Sequence, residues 1–193
     1  MLAKRLLSAI ICVVLFCANI AFAWNVKSFS DDYDIQSALK LLKQIGADEV
    51  FENLQENSVK IIFYDLSMIN FSYANHYAIN SVDNWGDRYI LINSKFRHAS
   101  KEELACLIAH ESFHKGKVAT MSEETLATQK EGYYWSILKV PGKRYTNSPL
   151  TNRLNKLACL FEESTEANNL IEQRIRNSKF YQEQLAVRER KRI

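Results

Sequence analysis

Apolar positions recur along this chain with a period that changes twice, from helical to alternating and back to helical. Ile35, Leu39, Leu42 and Ile45 return every three or four residues after the capping run Ser30-Asp31-Asp32, and the series stops at Gly46. That spacing gives one apolar side to a helix of about fifteen residues. Val50, Phe51 and Leu54 predict a second, shorter helix over 47–55. The texture then becomes β-branched and aromatic in Val59-Lys60-Ile61-Ile62-Phe63-Tyr64, Tyr77-Ala78-Ile79-Asn80 and Arg88-Tyr89-Ile90-Leu91-Ile92. The last two flank Asp83-Asn84-Trp85-Gly86-Asp87, a hairpin-turn composition, so a sheet of about three strands is expected mid-chain.

From Ser100 onward the helical period returns. Ser100-Lys101-Glu102-Glu103 has capping-box spacing ahead of Leu104, Leu107, Ile108 and Ala109, with Gly116 as the expected stop. Thr120-Met121-Ser122-Glu123 is a second capping box and opens a helix running past Trp135. Ser148-Pro149 supplies a cap and a first-turn proline for a helix through Leu160, and a last helix is expected over 166–187. The fold class predicted is α+β, mainly helical. A small antiparallel or mixed sheet packs on the helix after Ser100, and a helical region follows.

The amino terminus reads differently. Lys4 and Arg5 precede an apolar run over 6–16, and Ala21-Phe22-Ala23 has the small-x-small pattern of a cleavage site. A signal peptide over 1–23, cleaved after Ala23, is expected, leaving one domain over 24–193 that is secreted or periplasmic. An uncleaved anchor is the alternative, but the apolar stretch is near the lower limit for spanning a bilayer. Phe16 stands before Cys17 where a lipoprotein would need a small residue. The whole chain has 25 basic and 22 acidic residues, so loss of Lys4 and Arg5 leaves 23 against 22. A nearly neutral chain with dispersed charge gives no electrostatic basis for a nucleic-acid role or for stable membrane insertion after cleavage. The basic end Arg188-Glu189-Arg190-Lys191-Arg192 reads as a solvated terminus. Cys106 and Cys159 remain after cleavage, and in an oxidising compartment they form either one disulfide or two buried thiols.

The chemistry concentrates in His110-Glu111-Ser112-Phe113-His114. Residues four apart share a helix face at roughly 5–6 Å, so both imidazoles can reach one zinc ion at about 2.0–2.1 Å per bond. Glu111 projects beside that face, where a general base would stand. A catalytic zinc takes a third protein ligand. Cys106 lies on the same face but eight residues from His114, about 12 Å along the axis. Glu123, Glu124 and Glu131 follow on the next helix. Glu123 is claimed by its capping box. Glu124 is one position deeper, with Ala127 nearby to let the helices approach, and Glu131 suits a carboxylate that orients a histidine. Glu124 leads, with Glu131, Glu123, Cys159 and water as the other candidates.

With Glu124-Thr125-Leu126-Ala127 following it, Ala109-His110-Glu111-Ser112-Phe113-His114 resembles the zincin metallopeptidases, specifically their gluzincin branch. The resemblance covers about residues 88 to 135, and Lys115-Gly116-Lys117 stands where the metzincin extension would follow. It implies that His110, His114 and Glu124 bind Zn2+ and that Glu111 is the general base acting on a peptide or protein substrate. It also implies that the strand Arg88–Asn93 is a sheet edge aligning an extended peptide. For a second oxyanion donor, Tyr133, Tyr134, Tyr145 and His98 stay open. The other reading of the motif is a zinc-stabilised binding or inhibitory module that cleaves nothing.

Overall fold

The computed structural model describes residues 25–115, 119–163 and 166–178. The signal segment, its cleavage site, Gly116 and the continuation of the last helix beyond residue 178 lie outside the described residues. The fold is α+β and mainly helical, with a three-stranded mixed sheet.

Helix α1 (Tyr33–Gln44) starts where Asp32 Oδ1 accepts the amides of Asp34 and Ile35 at 2.9 and 3.3 Å. It ends before Gly46, whose φ of +72° is the left-handed conformation that terminates a helix without a Cβ clash. Ile35, Ala38, Leu39 and Leu42 form its buried side. Helix α2 (Asp48–Glu56) buries Val50, Phe51 and Leu54, the residues that define its apolar face in the sequence.

Strands β1 (Lys60–Tyr64), β2 (Ala78–Val82) and β3 (Arg88–Asn93) follow. The order is β1-β3-β2, with β3 parallel to β1 and antiparallel to β2. The turn between β2 and β3 is the expected hairpin: Asp83 Oδ1 accepts the amides of Trp85 and Asp87, both at 2.9 Å. The strand Arg88–Asn93 is therefore the centre of the sheet, correcting its expected place at an edge. The reason lies in its own sequence. Ile90, Leu91 and Ile92 are consecutive and all buried, so both faces of the strand are covered, whereas a half-exposed edge would alternate. Among the described residues the outer edges belong to β1 and β2.

Helix α3 (Lys101–Ser112) runs through the middle of the molecule, and every residue from Glu102 to Ser112 is buried. It packs against α1, α2, the sheet and helix α4 (Met121–Leu138). A helix apolar on all sides is stable only when surrounded, and Leu104-Ala105-Cys106-Leu107-Ile108-Ala109 meets that condition. Both capping boxes form: the Ser100 amide donates to Glu103 at 2.8 Å, and that of Thr120 to Glu123 at 2.7 Å. Helix α5 (Pro149–Glu163) packs along α4, and α6 (Ala167–Arg176) packs on both. Where α4 meets α5, a Cβ on Gly132 would stand 2.7 Å from Phe161 Cε2 and 3.1 Å from Leu157 Cβ, so that position is limited to glycine.

Cys106 is buried in α3 and Cys159 is exposed on α5, and both are free thiols. The disulfide does not form, and of the two buried thiols expected otherwise only Cys106 is one, because Cys159 lies on the exposed side of its helix. No helix of the described residues is long and apolar enough to cross a membrane.

Candidate metal centre

Helix α3 ends at Ser112, four residues ahead of the expected stop at Gly116, so His114 sits just beyond it. The chain nevertheless keeps winding. The Phe113 amide donates to the His110 carbonyl and the His114 amide to that of Glu111, both at 3.2 Å. These are contacts three residues apart, the tighter turn that often finishes a helix. That last turn brings the His114 ring beside His110, with centroids 5.0 Å apart and planes inclined by 70°.

A side chain from the sheet holds this helix end. Asn80 Nδ2, on β2, donates to the carbonyls of Glu111 at 3.3 Å and His114 at 3.2 Å. Carbonyls at a helix C-terminus lack partners within the helix, and Asn80 supplies one from 31 residues away. The sequence reading places Asn80 in a strand and gives it no role at the site, because nothing in its local pattern separates it from an ordinary strand asparagine.

Helix α4 contributes two carboxylates, both buried. Glu124 directs Oε2 to His110 Nε2 and Oε1 to His114 Nε2, each at 3.7 Å. Tetrahedral ligands with bonds of about 2.0–2.1 Å stand about 3.3–3.4 Å from one another. Each Glu124 contact is a few tenths of an ångström longer than that, with a different carboxylate oxygen toward each ring. Among the described residues, the group whose ligand-type atoms all lie within 4.8 Å of one another is His110, Glu111 and His114, without Glu124. Ala127, one turn after Glu124, is fully buried in the main core, as the close approach of α4 to α3 requires.

Glu131 stands behind His110. Its side chain is entirely buried, with Oε2 at 3.0 Å from His110 Nδ1 and Oε1 accepting from Arg153 Nη1 at 2.7 Å. Glu131 thus stands against the nitrogen of His110 that faces away from Glu124, close but not aligned as a hydrogen bond. Arg153, on α5, is absent from the sequence reading. No periodicity marks a polar residue on a partly exposed helix as the partner of a buried acid.

The remaining candidates are elsewhere. Glu123 is engaged by the Thr120 cap and accepts the Lys115 amide at 3.4 Å. Cys106 is sealed in the core, where burial pushes its thiol well above the usual range. The Tyr134 hydroxyl donates to Glu49 at 2.7 Å, and that of Tyr145 accepts the Val140 amide at 2.9 Å. Tyr133 is half-exposed against Phe161. His98 is exposed ahead of the first turn of α3, a helix length away from His110.

The electrostatics follow from this packing. Burial, with added repulsion from Glu124 and Glu131 and against the pull of His110, pushes Glu111 up to about 7. Burial and then the charge of His110 push His114 down to about 4, leaving a neutral imidazole with a free lone pair. Burial lowers His110, but the Glu131 and Glu111 carboxylates together more than offset it and the net shift is upward. Glu131 moves down overall, because Arg153 and His110 together outweigh its burial. Three carboxylates and one guanidinium thus surround the two imidazoles, and a bound divalent cation would favour ionised carboxylates and neutral imidazoles there. The donor set, two imidazole nitrogens and a carboxylate, is the one zinc takes in hydrolytic sites.

Comparison with protein-family models, curated proteins and solved structures finds no match for this chain.

Proposed function

We propose that this protein is an exported zinc metallopeptidase in which His110, His114 and Glu124 hold the metal and Glu111 is the general base. The observation that carries the reading is the placement of Glu124, which turns one oxygen to each Nε2 at 3.7 Å. When bound, zinc supplies Lewis-acid polarisation of a carbonyl and lowers the pKa of coordinated water to about 7. The chain's own residues do the rest. Glu111 is one residue, about 100° of helix, past His110, so its carboxylate enters from the side. There it can accept the proton of an attacking water and return it to the leaving amine. Glu131 holds the far nitrogen of His110, and Asn80 anchors the turn carrying His114. Strand β2, which touches the end of α3 through Asn80 and pairs on one side with β3, offers its other edge to an extended peptide.

A second reading, a zinc-stabilised binding module without catalysis, draws on one feature. His110, Glu111, His114 and Glu124 are only 7%, 7%, 6% and 9% exposed, an enclosure typical of structural zinc. Glu111→Gln separates the two. In a peptidase, the variant keeps stoichiometric zinc and loses hydrolysis of a mixed peptide library by about 10²–10⁴-fold. Wild-type protein that binds zinc but cleaves no peptide supports the module, and wild-type protein without stoichiometric zinc overturns both readings.

A further inference from the structure

Besides Asn80 on β2, a second residue outside the predicted motif bears on the centre. Arg153 reaches from α5 to Glu131 Oε1 at 2.7 Å, while Glu131 Oε2 lies 3.0 Å from His110 Nδ1. Its guanidinium also sits 5.5 Å from the Tyr77 ring centroid, immediately before β2. The Glu131 side chain is completely enclosed, so no solvent competes for either oxygen.

We infer that Arg153 is a positioning residue of the metal centre, acting through Glu131 to fix the ring plane and tautomer of His110. This inference rests on the metal site proposed above. A carboxylate with a single partner can rotate about its last bond; with Arg153 on one oxygen, the other stays 3.0 Å from Nδ1, where its charge bears on the ring although the pair is not aligned as a hydrogen bond. A proton kept on Nδ1 leaves the Nε2 lone pair directed at Glu124 and the metal position. Arginine suits the task because its planar fork stays charged and Tyr77 limits its orientation. Helix α5 is fixed in turn, since the Thr151 hydroxyl donates to Glu103 in the first turn of α3. The competing account is a salt bridge that joins α4 to α5 and leaves the metal unaffected.

The test is zinc affinity by chelator competition and the visible spectrum of the cobalt-substituted protein, on wild type, Arg153→Lys, Arg153→Met, Glu131→Gln and the double variant Glu131→Gln/Arg153→Met. Loss of an outer contact to a ligating histidine weakens metal binding about 10–100-fold. Arg153→Met should fall in that range with an altered cobalt spectrum, and Arg153→Lys should recover part of the loss. In the Glu131→Gln background, removing Arg153 should cost little more. Folded Arg153→Met with wild-type zinc affinity and cobalt spectrum overturns the inference, as do losses that simply add in the double variant. If Arg153→Met does not fold, Arg153→Lys and the comparison within the Glu131→Gln background decide. Wild type that binds neither metal refutes the underlying site instead, a result distinct from failure of the Arg153 arm.

Discussion

Asn80→Ala tests whether a strand residue holds the end of the central helix. The substitution removes two donated hydrogen bonds, at 3.3 and 3.2 Å, to the carbonyls of Glu111 and His114. At about 1 kcal/mol each they contribute about 2 kcal/mol, and leaving the His114 carbonyl short of a donor adds about 1 kcal/mol, since that of Glu111 keeps the His114 amide. Part of this is recovered, because Asn80 Oδ1 is itself buried with no hydrogen-bond partner, and its removal relieves about 1 kcal/mol. The net cost is about 2 kcal/mol, which for a domain of this size lowers the melting temperature by about 4–8 °C. Thermal unfolding of the metal-free protein, followed by circular dichroism, measures it. Because the same two bonds fix the turn that carries His114, zinc affinity should fall along with stability. Asn80→Asp should be worse than Asn80→Ala, since it cannot donate and sets a negative charge against the negative end of α3. A melting temperature and zinc affinity both unchanged in Asn80→Ala would refute the anchoring role.

Gly132→Leu should destabilise the protein by about 1–3 kcal/mol in urea denaturation, because the first added carbon already meets Phe161 at 2.7 Å and Leu157 at 3.1 Å. A neutral result would mean that α4 and α5 are not in close contact there. The second concerns acid stability. Burial raises the Glu102 carboxyl, but Lys143 at 2.8 Å more than offsets it and holds the group below its ordinary 4.5. A carboxyl lowered by folding stabilises the native state above that value and loses the contribution as pH falls through the lowered one. Lys143→Met should therefore cost about 1–3 kcal/mol at pH 7, because it leaves the buried Glu102 carboxylate without its cation. The difference from wild type should shrink to nothing once Glu102 is protonated, and a difference that persists in acid would contradict this.

Much of the architecture is legible along the chain because its signals are local. The capping boxes at Ser100 and Thr120 need only backbone amides within three residues, and both form as the spacing predicts. The hairpin turn is likewise closed by Asp83 alone. The near approach of His110 to His114 also follows from helical geometry, although the helix stops at Ser112 and a tighter turn completes the spacing. Gly116 is a good stop by residue type, but the regular helix ends at Ser112, where Asn80 of another element takes up the carbonyls of Glu111 and His114.

Sequence alone determined the helical and strand segments, the caps that bound them and the pairing of two imidazoles one turn apart. These depend on residues a few positions from one another, whose geometry the backbone dictates. The tertiary structure alone decided that Arg88–Asn93 lies at the centre of the sheet, that Cys106 and Cys159 stay apart, and that Asn80 and Arg153 converge on the histidine pair. Those outcomes depend on how separate helices and strands bury their surfaces together. A contact across tens of residues is fixed by packing and leaves no periodicity in the chain.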